Sequence, residues 1–458
     1  EAIGRIGGEK AATALFEGSL ELPEGQGDAL VKAMLLIADS LNKSSDAMAL
    51  ALYEEVFRAD TEPVNKAAAL KGIVAMRGAS PTLTDFVLQQ LDSDVPEVRE
   101  AAGQTVRTLP GGSQATTLLA KGLSSLSVEG KILLIQALKD RGDKGAGAAI
   151  LDAARAEDLQ VRFAAVEALG KLGGADAVDM LATTALDSED GEFAEAARKS
   201  LTQLSGPGVD EAIIERIGKS STGEQSLLIA LLAERNAQSA LPFLMTLARS
   251  GDEAARIAAA DALAVLSRGE NVNELVELLI AQQGDAAQSA LERAVIETAQ
   301  RVMPAEKQAD AVLMAAAAAG ANGALKATLL NVAGSIGGAK ALEGLRTASA
   351  DADPAVRGAA IRALANWATP DALDDLKQIA ETTDIADLRA IAVDGYIRQL
   401  RLTSDRSMDD TLARYEDAIA LASSLDQKRQ ILAGLAEVHD ARAIALVEKI
   451  GADEALKQ

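Results

Sequence analysis

The sequence contains no cysteine, a single histidine, a single tryptophan and only ten prolines in 458 residues. Lack of cysteine excludes disulfides and thiolate metal sites. One histidine cannot furnish a histidine-based metal site, which needs several ligands. Aromatic residues make up 2% of the chain although 48% is hydrophobic. A thick core normally draws on large rings, each burying roughly 150–250 Å², whereas Ala, Leu, Val and Ile suffice for a core two helices deep. Positive charge is also short: 45 Lys and Arg face 68 Asp and Glu, for a formal net charge of −23. Such a surface repels phosphate backbones, whose binding requires Lys and Arg to displace counterions. Nucleic acid and anionic membranes are therefore not expected as partners. No run approaches about 18 uninterrupted apolar residues, so no membrane insertion is expected. The chain shows no basic–apolar–small signal pattern at its start.

What is present is a repeat. Val-Arg pairs stand at Val98-Arg99, Val161-Arg162 and Val356-Arg357, with looser forms at Ala255-Arg256, Leu388-Arg389 and Lys428-Arg429. Arg99 and Arg162 lie 63 residues apart with Lys131 aligned between them, which sets a period of 31 or 32. Each repeat reads as two helices. Val161, Ala164, Ala165, Ala168, Leu169 and Leu172 fall at helical spacing. Gly173-Gly174 is expected to end that helix in the left-handed conformation glycine tolerates, and Ala177, Met180, Leu181 and Leu186 start a second apolar stripe. Asp94, Asp158, Asp252, Asp353 and Asp387 precede the Val-Arg helices and are expected to cap them, each contributing roughly 1 kcal/mol. The arginines, Arg99, Arg162, Arg256, Arg357 and Arg389 among them, are read as structural, with an aspartate of a neighbouring repeat as a possible partner. One hairpin cannot bury its own apolar faces; stacked neighbours can.

These residues resemble HEAT repeats: an aspartate-bearing turn, Val-Arg, a spaced Ala-x-x-Ala-Leu-Gly core and a Gly-Gly corner, most closely at Asp353-Pro354-Ala355-Val356-Arg357. The resemblance implies an all-α fold, a right-handed α-solenoid of about thirteen helical hairpins plus partial units at the ends, with the Val-Arg helices on the concave side. It covers residues 1–458 as one solenoid. Glu1 to Gly8 matches Glu167 to Gly174, and Ile450 to Gln458 reads as the start of another helix, so both ends are expected to be cuts within a longer protein. The period lengthens across 289–325 and 402–422, read as irregular or inserted segments with a lengthened helix or loop. Residues 415–457 further resemble the closing HEAT units of large, often exported bacterial proteins, some carrying a 3-keto-disaccharide hydrolase-type domain. That implies a neighbouring module and favours a periplasmic or extracellular setting; composition alone leaves the compartment open.

Catalytic chemistry needs convergent groups with tuned proton affinities, and the sequence offers none. His439 falls at a helix corner beside Asp440 and reads as a surface residue. Asp187 to Glu192 is acidic and holds a glycine, but Arg198 stands where an EF-hand has its bidentate glutamate, so helix capping is the better account. Gly334-Ser335-Ile336-Gly337-Gly338 lacks the lysine of a phosphate loop. No cofactor is expected.

Five residues beyond each Val-Arg arginine, or its aligned equivalent, lies a position expected to face solvent on the concave side: Lys71, Gln104, Gln136, Glu167, Lys199, Ala230, Asp261, Arg293, Asn331, Arg362, Asp394 and Gly434. Their signs are mixed, which disfavours a long polyanionic or polycationic ligand. Glu167, Lys199, Asp261, Arg293, Arg362 and Asp394, with Phe163 as an aromatic anchor, are the candidate partner contacts; for Phe163, packing between repeats is the competing reading, as for Trp367. The expected function is a non-catalytic scaffold or spacer binding another protein or another domain of its own polypeptide. The alternatives are an accessory arm of an exported carbohydrate-processing enzyme and a HEAT-type lyase or chaperone subunit.

Overall fold

The computed structural model describes residues 7–17, 27–41, 46–187, 191–282 and 286–451. Among them are 27 α-helices and no strand. The expectations for residues 1–6, 452–458 and most of the acidic turn at 188–190 lie outside the described residues. The chain divides into two compact units, Glu1–Arg235 and Asn236–Gln458.

In the N-terminal unit, Pro63–Met76, Pro96–Thr108, Val128–Arg141, Leu159–Leu172 and Gly191–Gln203 pack one on the next as a layer of first helices. Second helices alternate with them, and Val178–Asp187, for example, lies against Gly191–Gln203. In the C-terminal unit the first helices are Glu253–Leu266, Gln288–Ala299, Gly323–Ile336, Pro354–Ala365, Ala386–Leu400 and Leu425–Leu435, again in successive contact. The apolar stripe read from residues 161–172 is the buried face: Val161, Ala164, Ala165, Ala168, Leu169 and Leu172 are all inside. Alanine dominates because neighbouring first helices touch closely. Ser200 Oγ, itself buried, donates across that contact to the Val166 carbonyl at 2.8 Å.

The corners depart from expectation in an instructive way. Gly173 is extended (φ −73°, ψ 168°), not left-handed. Glycine is required there for space, since a Cβ would stand 2.7 Å from the Leu169 carbonyl oxygen and 2.9 Å from Leu204 Cδ2 of the next repeat. The left-handed C-cap does occur at Gly142, with φ 74° and its N–H on the Leu138 carbonyl. Among the described residues, six repeats then insert a 3₁₀ turn before the second helix, a detail the apolar periodicity does not report. In four of these turns, Lys144–Ala146, Ala175–Ala177, Gln238–Ala240 and Pro370–Ala372, the last residue is a fully buried alanine.

Capping follows the aspartates only in part. Asp158 accepts from the N–H groups of Gln160 (2.9 Å) and Val161 (3.0 Å), Asp252 from Ala255 (2.9 Å) and Asp353 from Ala355 (2.8 Å). Asp94 is not a cap: Pro96 opens the helix, which places Val95 at the capping position. Asp387 lies inside the first turn, the helix having started at Ala386. The Val-Arg arginines are also reassigned. Arg99 donates to the Ser93 carbonyl at 2.7 Å, Arg357 to that of Asp351 at 2.7 Å and Arg256 to that of Gly251 at 3.1 Å. Each folds back on a carbonyl at the corner of its own repeat.

A different set of arginines ties repeats together. Arg141 donates to the Val106 and Leu109 carbonyls at 2.9 Å each, to the Gly112 carbonyl at 3.0 Å and to Thr116 Oγ1 at 2.9 Å. Arg235 reaches the Leu201 and Thr202 carbonyls, with its side chain only 8% exposed and Asp210 beside it. Arg301 takes Ala264 and Ser267, and Arg398 takes Ala365 and Trp367, the same way. The last carbonyls of a helix have no partner within it, and these guanidinium groups, reaching back one repeat, satisfy them.

Candidate interaction surface

The period-matched positions are solvent-facing with few exceptions. Lys71, Gln136, Glu167, Lys199, Ala230, Asp261, Arg293, Asn331, Arg362 and Asp394 are exposed, and Gln104 is half-buried. Gly434 is buried under the Tyr415 ring, so it belongs to the interior. The 32-residue register brings these side chains into ladders between adjacent repeats. Arg293 pairs with Asp261, Glu167 lies 3.6 Å from Lys139, and Asp394 accepts from Gln427 Nε2 at 2.9 Å. Exposed pairs of this kind contribute about 0–1 kcal/mol, so the face is held by packing beneath it.

The N-terminal unit carries several grooves at the scale of a side chain. A groove of about 730 Å³ opens between the helices Leu159–Leu172 and Gly191–Gln203, lined among others by Arg162, Phe163, Glu167, Glu192 and Phe193. Phe163 is half-buried against Phe193 of the next repeat, with ring centroids 6.1 Å apart. Packing between repeats and lining a groove are thus the same geometry here. Leu159 stands 67% exposed at the edge. Trp367, by contrast, is buried.

His439 is exposed, its Nδ1 3.0 Å from the Glu437 carbonyl. Next to it, hydrogen bonds from the Arg442 guanidinium hold the Asp440 carboxyl down to about 2, which keeps Asp440 ionised and unsuited to proton transfer near neutrality. Among the described residues no cluster of three or more His, Cys, Asp or Glu side chains could hold a metal ion, and no helix is long and apolar enough to cross a membrane. Within 289–325 the chain runs from Gln288–Ala299 through a 3₁₀ turn at Ala305–Lys307 into Asp310–Ala318. Within 402–422 it forms the helix Met408–Leu421, entered over Arg406, which donates to the Leu400 carbonyl at 2.8 Å. Lys377–Asp417 (2.6 Å) and Arg414–Asp374 (2.8 Å) bind that helix to Leu373–Thr382.

Two stretches, residues 116–202 and 311–396, match the family model for HEAT repeats. Among solved structures, Kap121p is similar at 10% identity over 95% of this chain and 56% of its own, with a TM-score of 0.44. The karyopherin Kap121p bound to the extreme C-terminus of the protein phosphatase Cdc14p is similar at 11% identity over 93% and 53%, with a TM-score of 0.43. Importin beta is similar at 14% identity over 93% and 60%, with a TM-score of 0.34. The chain therefore spans about 56% of the length of Kap121p. No curated protein matches the sequence. The fold is an all-α solenoid, two stretches of which match HEAT repeats.

Proposed function

We propose that the chain is a non-catalytic scaffold that binds another protein, or another domain of its own polypeptide, through the solvent-facing side of its first helices. The observation that carries this reading is the regular exposure of one position per repeat, from Lys71 to Asp394, above helices whose remaining apolar faces are buried. Repeat stacks present extended surfaces in which binding is distributed over several repeats. The mixed charges of Lys199, Asp261, Arg293, Arg362 and Asp394 suit a partner of mixed polarity. Replacing these five residues with alanine is expected to abolish capture of partners recovered with the wild-type protein from its native source, while far-ultraviolet circular dichroism stays unchanged. Undiminished capture by the helical variant refutes the reading. The accessory-arm alternative rests on the resemblance of residues 415–457 alone, and a complete reading frame without a sugar-processing domain removes it.

A further inference from the structure

Among the half-buried Val-Arg arginines, Arg162 stands apart. Arg99, Arg256 and Arg357 each spend a donor on the carbonyl of their own corner. The Arg162 side chain makes no hydrogen bond or ion pair among the described residues, and its Nε is shielded from water without a partner. A half-buried guanidinium with vacant donors calls for an acceptor, and charge-assisted bonds to a planar carboxylate are the strongest it can make. The other charged groups lining the groove do not fill that need: Glu167 already faces Lys139, and Glu192 is not without a partner. Beside Arg162 lie the Phe163 and Phe193 rings, with Leu159 exposed at the edge. Among the described residues, the groove thus offers an unmatched positive charge, Arg162, next to an apolar seat.

We infer that this groove binds a partner segment in which a large apolar side chain neighbours an aspartate or glutamate, the apolar group seated on Phe163 and Phe193 and the carboxylate on Arg162. This rests on the scaffold reading above and names the chemistry one part of the surface selects. The chain's net charge of −23 opposes a highly acidic partner, but at physiological salt such repulsion is screened beyond about 8 Å. A single carboxylate within an otherwise neutral segment is therefore the favoured occupant.

The test uses three fluorescein-labelled nonapeptides matched in all but two positions and read by fluorescence anisotropy with the full chain: one with Phe and Glu two residues apart, one with Phe and Gln, one with Ala and Glu. The Phe–Glu peptide is expected to bind about tenfold tighter than either relative. Arg162→Met is expected to erase the Glu-over-Gln preference, and Phe163→Ala the Phe-over-Ala preference. Equal binding of the three peptides to the wild-type chain overturns the proposal without requiring any variant to fold. So does a Glu preference that survives in a helical Arg162→Met protein, or tighter binding when Lys replaces Glu. The five-residue alanine variant described above leaves the groove intact. Loss of partner by that variant together with peptide indifference refutes the groove and spares the scaffold; peptide discrimination with partner capture undisturbed supports the groove and refutes the wider surface.

Discussion

Replacing Arg141 with methionine keeps an unbranched apolar stem and removes four hydrogen bonds at 2.9–3.0 Å to the preceding repeat. The Gly112 carbonyl lies near solvent and recovers water, and buried Thr116 keeps its own bond to that carbonyl, so most of the cost falls on the Val106 and Leu109 carbonyls. Hydrogen bonds to a charged group contribute about 1.5–3 kcal/mol each, and partial rehydration sets the expected loss at about 3 kcal/mol. In a stack whose stability is a sum over repeats and interfaces, that loss is local. Amide exchange across residues 106–116 is expected to speed up by about a hundredfold, with exchange in the helix Gly191–Gln203 little altered. Arg141→Lys should recover little, because a point-charge ammonium cannot reproduce the fork. Arg107→Gln, which removes an exposed ion pair to Asp140, is the control and should cost under about 1 kcal/mol. Exchange in 106–116 that changes less than threefold in Arg141→Met refutes the clasp as a stabilising device.

Asp158→Ala should destabilise by about 1 kcal/mol through loss of its cap, while Asp94→Ala, which caps nothing, should be silent in the same urea titration. Gly173→Ala forces a Cβ against the Leu169 carbonyl and Leu204, and overpacking should cost about 1–3 kcal/mol; Gly191→Ala, with open space around it, should be neutral or stabilising by less than about 1 kcal/mol in thermal melts. All three tyrosines are buried. Burial pushes Tyr396 up to about 12 and raises Tyr53 and Tyr415 as well. The unfolded chain therefore releases its phenolic protons first. Stability contributed by neutral Tyr396 is complete below pH 10 and is lost as pH climbs toward 12, by about 2–3 kcal/mol. Phenolate absorbance and helical ellipticity should change together above pH 10; phenolate formation near pH 10 with helicity intact contradicts the burial account.

Much of this molecule is local. The 3.6-residue apolar spacing of residues 161–172 specifies a helix and its buried face whatever lies around it, and the 31- to 32-residue period specifies which positions face solvent. The repeat and the exposed positions from Lys71 to Asp394 were accordingly legible in the chain. Gly434 escaped because its burial depends on Tyr415, in the lengthened repeat. Asp94 escaped because one proline shifts a helix start by a single residue.

What only the tertiary structure decided concerns partners about thirty residues away. Arg141, Arg235, Arg301 and Arg398 are separated by 94, 66 and 97 residues, each close to a multiple of the period. That signal was present, but its meaning was not, since the acceptors are backbone carbonyls that every residue possesses. Likewise, Arg162 is indistinguishable in sequence from Arg99 or Arg357. The three differ because a hydrogen bond depends on where a carbonyl comes to rest in space, and stacked repeats, unlike a helix, set that position through packing between distant segments.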